Sequence, residues 1–317
     1  MPGEVAARAE YARRMQRVLE HIDAHLAEPL DLKALATVAH FSPYHFHRLF
    51  GAWMGLTLGD YLRHRRLETA AARLQADPAL PVLTAALDVG FGSGEAFSRA
   101  FRQHFGSPPS TWRHQHPATQ APRKADQAVG NPDQAEGKPD QARPHACRDD
   151  GLPFYTLELT NMDVRLIDLP PTRIAYLRYT GPYGPALGEF FGRVFMPWVH
   201  AQGLGGRTTY GISLDDPSVT PPSECRCDCA VEVDDGYLPP GDAHVTTLPG
   251  GRYAALHFEG SGAEIGAAWK AIFGQWLPAS GYQVDQRPCF ERYLPEQLAR
   301  MQGQGFVCDI CIPVVPL

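Results

Sequence analysis

The apolar positions in the first hundred residues recur at the spacing of an α-helix. The first apolar stripe predicts one helix that ends near Glu28 and Pro29, since proline stops a helix. Its members are Tyr11, Met15, Val18, Leu19, Ile22 and Leu26. Residues 32–38 predict a short second helix, and Ser42 followed by Pro43 is typical of the N-cap and first turn of a third.

The third helix opens a unit that is repeated. Gly55 should end this helix, and Thr57 with Asp60 resembles a capping box for a long helix reaching about Gln75. The same plan returns 51 residues later at a set of matched positions. Ser42, Phe46, Arg48, Phe50, Gly55 and Tyr61 match Ser93, Phe97, Arg99, Phe101, Gly106 and Trp112, and Leu35 and Ala36 match Ala86 and Leu87. A repeat that keeps a cap, two aromatic residues and a helix-stopping glycine predicts a duplicated helix-turn-helix.

Apolar periodicity disappears between His116 and Pro153. The tripeptide Asp-Gln-Ala recurs there three times at a seven-residue spacing, with charge, proline and glycine between the copies. A heptad without an apolar seam is a poor coiled coil, and this composition buries too little apolar surface to offset the entropy of ordering. We therefore expect a multidomain chain with an all-α domain in residues 1–117, a flexible linker in 118–152 and a separate domain in 153–317.

The last domain contains a repeat of its own. Residues 169–181 match 248–260, and residues 198–203 match 276–281. Each copy predicts a strand with alternating apolar positions, a glycine turn, an amphipathic helix and two further strands. Two such β-α-β-β units are expected to form an α+β domain with one curved antiparallel sheet, with helices on one face and a concave groove on the other.

The formal net charge of −6 is unevenly distributed along the chain. Residues 1–117 contain 13 Lys and Arg against 11 Asp and Glu, a net of +2, and they hold 9 of the 13 histidines. Residues 118–317 contain 16 basic against 24 acidic residues, a net of −8. A modestly basic front and an acidic rear predict different partners for the two ends, and the front is compatible with DNA.

Other features narrow the class of protein. The apolar runs are far shorter than the ~20 residues that span a bilayer, and no apolar segment follows Met1, so we expect no membrane span and no export signal. Seven cysteines, an odd number, then favour reduced thiols in the cytoplasm. Cys225, Cys227 and Cys229 would stand ~7 Å apart along one strand face, too far for a compact metal site. We expect no metal, no cofactor and no catalytic residues.

In a helix-turn-helix the second helix enters the major groove, and its outward side chains reach the bases. The outward positions of the first unit, from the start of its helix, are Pro43, Tyr44, His45, His47 and Arg48. The outward positions of the second unit are Gly94, Glu95, Ser98, Arg99 and Arg102. Arginine can donate two bonds to guanine, glutamate can accept from cytosine, and serine or neutral histidine can do either. An ordinary surface pair is the alternative for Glu95 and Arg99, and a solvated face for the basic stretch 63–66.

Residues 83–106, followed by Ser-Pro-Pro-Ser-Thr-Trp-Arg at 107–113, resemble the signature of the AraC/XylS family of transcription regulators. The resemblance covers roughly residues 12–115. It implies a bipartite DNA-binding domain whose recognition helices begin near Pro43 and Gly94. Carried over position by position, the implied base-reading residues are Tyr44, His47, Arg48, Gly94, Glu95, Ser98 and Arg99. Gly94 departs from the family pattern, because many relatives have a longer polar side chain there.

Residues 162–317 resemble the GyrI-like effector-binding domain. In chain order, the marks are Gly181-Pro-Tyr183, Leu214-Asp-Asp-Pro217, Leu248-Pro-Gly-Gly-Arg252, Trp276-Leu-Pro278, Ser280-Gly-Tyr282 and Phe290-Glu-Arg-Tyr293. The resemblance implies a pocket for amphipathic, often cationic aromatic molecules, with its central acid at Glu291 and the neighbouring aromatic residue at Tyr293. The alternation in residues 290–293 places both side chains on one strand face.

A carboxylate among aromatic rings attracts a desolvated cation through its charge and through the ring faces. The aromatic residues that could form the walls of such a pocket are Trp269, Tyr183, Tyr210 and Trp276. Burial in the core is the alternative for each of them, and an exposed strand position is the alternative for Glu291.

These features predict a ligand-responsive, DNA-binding transcription regulator of the cytoplasm, and not an enzyme. The expected partners are double-stranded promoter DNA, read as an asymmetric site, a small-molecule effector and, as a further candidate, RNA polymerase. Two alternatives stay open for the last domain: a hydrolase of electrophilic small molecules in which Glu291 activates water, and a protein-interaction module. Because a flexible linker transmits little strain, coupling requires a ligand to change inter-domain contacts or oligomerisation.

Overall fold

The computed structural model describes residues 2–116, 162–217, 219–298 and 305–317. The predicted linker 118–152, and the first residues of the predicted last domain up to 161, lie outside the described residues. In the part of the chain that the structure describes, no helix is long and apolar enough to cross a bilayer.

The first described segment is helical throughout, as its periodicity predicts. Its helices are α1 (Pro2–Ala24), α2 (Leu32–Val38), α3 (Pro43–Met54), α4 (Leu58–Ala76), α5 (Val82–Leu87), α6 (Gly94–Phe105) and α7 (Pro109–Gln115). α1 ends at Ala24, slightly before the predicted stop. Gly55 and Gly106 end α3 and α6 with φ of 72° and 76°, a left-handed conformation that glycine adopts without strain.

The two recognition helices begin differently although both follow a serine. The Ser93 side chain accepts a hydrogen bond from the Ala96 backbone N–H at 3.1 Å and so caps α6. Ser42 stands at the N-cap position of α3, but its side chain makes no capping bond. The N-cap hydrogen bond predicted from the sequence is therefore present at α6 and absent at α3.

The register of the repeat shifts by one residue at the turn. The Phe41 backbone N–H donates to the Ala36 carbonyl, and the equivalent bond joins Phe91 to Ala86. Ala85 and Ala86 are fully buried, like Leu35 and Ala36, whereas Leu87 is 50% exposed. The prediction that matched Leu35 and Ala36 to Ala86 and Leu87 was wrong, because the second turn contains one extra residue.

The chain divides into two compact units, the first unit and the second unit, which are distinct from the two helix-turn-helix repeats. The second unit contains the end of α1, α4 from Gly59, and α5 to α7, around a core that includes Leu67, Leu74, Phe97 and Phe101. In it, Arg65 pairs with Asp23 at 2.9 Å and Arg66 donates to the Leu26 and Glu28 carbonyls. These arginines of the basic stretch 63–66 therefore tie α4 to the last turn of α1 and to the residues that follow it.

The first unit contains the start of α1, α2, α3 and the strands. The strands are β1 (Val164–Leu169), β2 (Thr172–Thr180), β3 (Thr209–Ser213), β4 (Arg226–Glu232), β5 (His244–Leu248), β6 (Gly251–Ser261), β7 (Tyr282–Val284), β8 (Phe290–Tyr293) and β9 (Gly305–Pro316). Their order is β1-β6-β9-β8-β3-β4-β2-β5, with β7 pairing β9 at one side and every pairing antiparallel.

This order confirms the duplicated β-α-β-β plan and the antiparallel sheet. β2, β3 and β4 form one half, β6, β8 and β9 form the other, and β3 pairs with β8 where the halves meet. The strand that precedes each half pairs with the opposite half, since β1 joins β6 and β5 joins β2. This exchange ties the two repeats into one domain.

Each half contributes one helical segment between its first two strands. The segments are α8 (Pro185–Phe190), a π-helical turn (Phe191–Phe195) and α9 (Met196–Ala201) in the first half, and α10 (Ile265–Ala271), a π-helical turn (Ile272–Trp276) and α11 (Leu277–Ala279) in the second. α12 (Pro295–Leu298) follows β8. On the helix-bearing face of the sheet, Phe195 and Val199 of the first helical segment pack against Cys227 and Cys229 of β4 in one core. The opposite face has a second core that includes Ile174, Tyr210, Tyr253 and Phe290.

Candidate functional site

The predicted reading side of α6 is open to solvent in the second unit. Phe97 and Phe101 are fully buried on the inner side of the helix, which turns the opposite side outward. Glu95 and Arg99 are exposed, and Gly94 and Ser98 are half-buried. A Cβ at Gly94 would lie 3.2 Å from Leu83 Cδ1 in α5, so a larger side chain there would have to displace Leu83. α6 therefore presents to solvent a short surface centred on three of the predicted reading residues, Glu95, Ser98 and Arg99.

The predicted reading side of α3 is covered within the first unit. His45 and His47 are buried, with exposures of 0% and 5%, and Arg48 is half-buried, while Pro43 remains exposed. Tyr44 belongs to α3, and its side chain lies outside the described set. The expectation that His45 and His47 project freely from α3 is wrong for this structure, because the helix lies against the β-rich part of its own unit.

The contacts of the two histidines are specific. His45 Nε2 lies 3.1 Å from the Arg287 carbonyl oxygen, and the His45 ring stacks on Phe273 at 6.2 Å between centroids. His47 Nδ1 lies 2.8 Å from Asp216 Oδ2. These two contacts attach α3 to the β-rich part of the first unit, through side chains that the sequence predicted to face DNA.

Burial of His45 predicts an acid-sensitive first unit. Burial lowers the pKa of His45 to about 4, and the charge of Arg48 lowers it further. The hydrogen bond to the Arg287 carbonyl and the charge of Asp285 raise the pKa of His45 in part. Since the unfolded ring takes up a proton near pH 6.5, the free energy of unfolding falls as the pH drops from 6.5 towards 4. From pH 7.5 to pH 5 we expect a loss of ~2 kcal/mol from this group.

Urea denaturation at the two pH values would measure this loss. His45→Gln keeps a polar side chain without a titrating ring, so its stability should fall by ~2 kcal/mol less than that of the wild type. Identical pH dependence in the two proteins would show that His45 binds its proton equally well in the folded and unfolded states.

The second candidate site surrounds Glu291 in β8. The β3–β8 register places Gly211 opposite Glu291 and Thr209 opposite Tyr293, so Glu291 and Tyr293 share one face of the sheet. A Cβ at Gly211 would lie 3.3 Å from Glu291 Oε2. Glycine at this position therefore leaves the space that the carboxylate occupies.

Two aromatic side chains hold the carboxylate. The Tyr293 hydroxyl donates to Glu291 Oε2 at 2.7 Å, and the Trp269 indole N–H donates to Glu291 Oε1 at 3.1 Å. Burial raises the pKa of Glu291, while these two hydrogen bonds and the charge of Arg48 lower it in part. Burial and the neighbouring Glu291 raise the pKa of Tyr293 well above its usual range, so the phenol stays a donor. The result is a fixed acceptor in a desolvated aromatic setting.

Phe191 belongs to this site and was missed in the sequence. Its ring lies 5.4 Å from that of Tyr293, at the start of the π-helical turn of the first half. The repeat offset of 78 residues that matches Trp198 to Trp276 also matches Phe191 to Trp269. The equivalent residues of the two halves thus approach Glu291 and its partner Tyr293, and extending the repeat by seven residues would have found Phe191.

Arg48 of α3 lies beside the same carboxylate site. Its guanidinium carbon is 5.4 Å from the centroid of the Trp269 ring, and Nη2 lies 3.4 Å from the Ser213 and Asp215 carbonyl oxygens. The Tyr183 hydroxyl approaches the Asp215 carbonyl at 3.4 Å and donates to the Arg226 carbonyl at 2.5 Å. Tyr183 therefore lies at the border of the site, next to Arg48.

The structure places the other two predicted wall residues elsewhere. Tyr210 pairs in register with Arg292, on the face of the sheet opposite Glu291, and its hydroxyl donates to Glu232. It lines a cavity of about 90 Å³ with Glu232 and Arg292, which is small beside the ~300–1,000 Å³ of typical ligand sites. Trp276 stacks on Tyr282 at 6.5 Å.

The site lies on the helix-bearing face of the sheet. The sequence predicted helices on one face and a groove on the other without assigning Glu291 to either, and the Trp269 bond to Glu291 puts the carboxylate on the helix-bearing face, between the helical segments of the two halves. β-strand alternation shows which residues of one strand share a face, and only the contacts between helices and sheet show which face the helices cover.

Comparison with known proteins identifies the families of both domains. Residues 35–115 match a helix-turn-helix domain family, and residues 162–315 match the GyrI-like small molecule binding domain family. Regulatory protein SoxS of Salmonella typhimurium is 37% identical over 101 residues, 32% of this chain and 94% of its own length. A DNA gyrase inhibitor of Edwardsiella ictaluri is 34% identical over 157 residues, 48% of this chain and 98% of its own. The right origin-binding protein of Escherichia coli is 26% identical over 304 residues, 92% and 95% of the two chains.

Two helix-turn-helix units followed by a small-molecule-binding domain define a ligand-responsive transcription regulator that binds DNA. The chain belongs to the AraC/XylS family of transcription regulators and carries a C-terminal GyrI-like domain.

Proposed function

We propose that the protein reads an asymmetric promoter site with α3 and α6 and binds an amphipathic aromatic cation at Glu291. The reading residues are Tyr44, His47 and Arg48 of α3 with Glu95, Ser98 and Arg99 of α6. The effector site comprises Glu291, Trp269, Tyr293 and Phe191, with Tyr183 at its border. Residues 1–117 and 153–317 are the two functional domains of this proposal, joined by residues 118–152.

The Glu291 carboxylate is the observation that carries the ligand half of the proposal. It accepts hydrogen bonds from Trp269 and Tyr293, and both bonds stabilise its charged form. Glu291 is half-buried among aromatic side chains, so its carboxylate is partly desolvated and a cation that enters the site gains favourable charge interaction. The neighbouring ring faces add cation–π attraction, which supports a flat aromatic cation over an anion or a neutral aromatic molecule.

Benzamidine is a suitable probe, since it joins a planar amidinium to one aromatic ring. We expect it to bind the full-length protein and to bind Glu291→Gln about tenfold or more weakly, because the variant removes the charge and keeps the shape. Titration calorimetry without DNA measures the difference. Neutral benzamide should bind far more weakly than benzamidine to the wild type.

Glu259→Gln is the matched control, since Glu259 is an exposed carboxylate on β6 and its loss changes the net charge equally. It should bind benzamidine like the wild type. Equal binding of benzamidine by wild type and Glu291→Gln would refute the effector site.

A further inference from the structure

Arg48 and Arg99 are equivalent residues in very different surroundings. They match at the 51-residue offset that also relates Phe46 to Phe97. Arg99 is exposed on α6, whereas Arg48 is half-buried over the Trp269 ring. Two arginines with the same predicted contact to DNA thus differ in whether they can make it.

The Arg48 side chain has the chemistry of a ligand for the Glu291 site. Its guanidinium is a planar, delocalised cation, and it lies over the ring whose N–H binds the Glu291 carboxylate. Two backbone carbonyls, of Ser213 and Asp215, approach one of its nitrogens. Its charge also lowers the pKa of Glu291, as the charge of a bound cation would.

The position of Arg48 depends on close packing of α3. A Cβ at Gly274, in the second π-helical turn, would lie 3.0 Å from the Ala52 carbonyl oxygen of α3. A side chain at this position would push α3 back by a few tenths of an ångström or more, and the His45 and His47 contacts fix the rotation of the helix. α3 therefore presents Arg48 to the site with its DNA-reading side turned inward.

We propose that Arg48 is a built-in occupant of the cation site, and that a cationic effector displaces it and so releases α3 for DNA. This inference rests on the proposed function of the Glu291 site. It assigns the effector class as a planar amidinium or guanidinium joined to an aromatic ring, since that group reproduces the Arg48 contacts.

The competition couples the two activities without strain in the linker. Arg48 cannot lie over Trp269 and bond to a guanine at the same time, so the docked and DNA-bound arrangements of α3 exclude one another. A ligand shifts such an equilibrium by its difference in affinity for the two arrangements. Effector and DNA then raise each other's affinity by the same factor, for which about tenfold is typical.

Removal of the occupant tests the inference in the absence of DNA. In the full-length protein, Arg48→Ala should bind benzamidine about tenfold more tightly than the wild type. Gly274→Leu keeps Arg48 and adds bulk against α3, so it should show the same gain. Gly266→Leu is the matched control, because Gly266 lies in α10 with nothing within 4 Å of an added Cβ, and its affinity should stay at the wild-type value.

Equal benzamidine affinity in wild type, Arg48→Ala and Gly274→Leu would overturn the inference and leave the effector site standing. Absence of benzamidine binding from all of them would overturn the proposed function and the inference with it. If Gly274→Leu fails to fold, shown by loss of the helical circular dichroism that Gly266→Leu retains, Arg48→Ala decides alone.

Binding to DNA provides the second readout, on a duplex selected by the full-length protein from a random pool. Benzamidine should tighten wild-type binding about tenfold, and Gly274→Leu should bind that tightly without benzamidine and gain nothing from it. A wild-type affinity that benzamidine leaves unchanged, or lowers, would contradict the release of α3.

Discussion

Replacing Arg99 by alanine should weaken binding to the selected duplex by about 5- to 150-fold, the range set by ~1–3 kcal/mol for a bidentate arginine–guanine contact. Arg99 is exposed on α6, whose Ser93 cap and buried Phe97 and Phe101 fix the helix independently of this side chain. Because its loss removes base readout as well as one charge, affinity for the selected duplex should fall more than affinity for random DNA. Fluorescence anisotropy on both duplexes at one salt concentration measures the ratio.

Arg73→Ala is the matched control, because it removes the same charge from α4, where Asp88 pairs with Arg73 at 3.1 Å. Its effect should be small and similar on both duplexes, as for a change in general electrostatic attraction. If Arg99→Ala also weakens the two duplexes equally, α6 contacts phosphate and its assignment as a base-reading helix fails.

Replacing Arg287 by alanine should lower the free energy of unfolding of the first unit by about 3 kcal/mol or more. The Arg287 side chain is 18% exposed and donates to a carboxylate and to backbone carbonyls of the adjoining strands and turn. Its acceptors are Asp285, Gly250, Arg252 and Val314, and its guanidinium also lies 4.7 Å from the Tyr253 ring centroid. Alanine leaves these groups without their donor and opens a cavity beside Tyr253.

Urea denaturation measures this loss, with Arg252→Ala as the control. Arg252 and Asp168 form an exposed pair, 49% and 68% accessible, and exposed pairs contribute ~0–1 kcal/mol. Arg252→Ala should therefore stay within about 0.5 kcal/mol of the wild type. Similar losses in the two variants would mean that the Arg287 network is no more stabilising than a surface ion pair.

The helices were predictable because each buries a stripe of its own residues. Phe46, Phe50, Phe97 and Phe101 lie at i, i+4 spacing, and all four are fully buried. Glycine punctuation predicted the ends of α3 and α6, since the left-handed conformation at Gly55 and Gly106 is a local property. The extra residue in the turn before α6 was not predictable from the matched aromatic residues, because those residues all follow the turn.

The residues around Glu291 were predictable only in part. Alternation within β8 was enough to put Glu291 and Tyr293 on one face, and the internal repeat contained the information that pairs Phe191 with Trp269. Tyr210 shows the limit of this reasoning. Its face relative to Glu291 depends on the register of β3 against β8, which pairs Tyr210 with Arg292, 82 positions later, and leaves no mark within either strand.

By itself, the sequence determined the two helix-turn-helix units and the duplicated β-α-β-β domain, because local periodicity, turn chemistry and repetition specify these features. The central place of Glu291 was implied by the resemblance to the GyrI-like domain. Only the tertiary structure decided which side of the sheet carries the site and what lies against α3. Both depend on contacts between distant segments, such as Arg48 with Trp269 and Ala52 with Gly274, whose formation depends on shape and not on local pattern. Thus the sequence showed two equivalent reading helices, and the fold made them unequal.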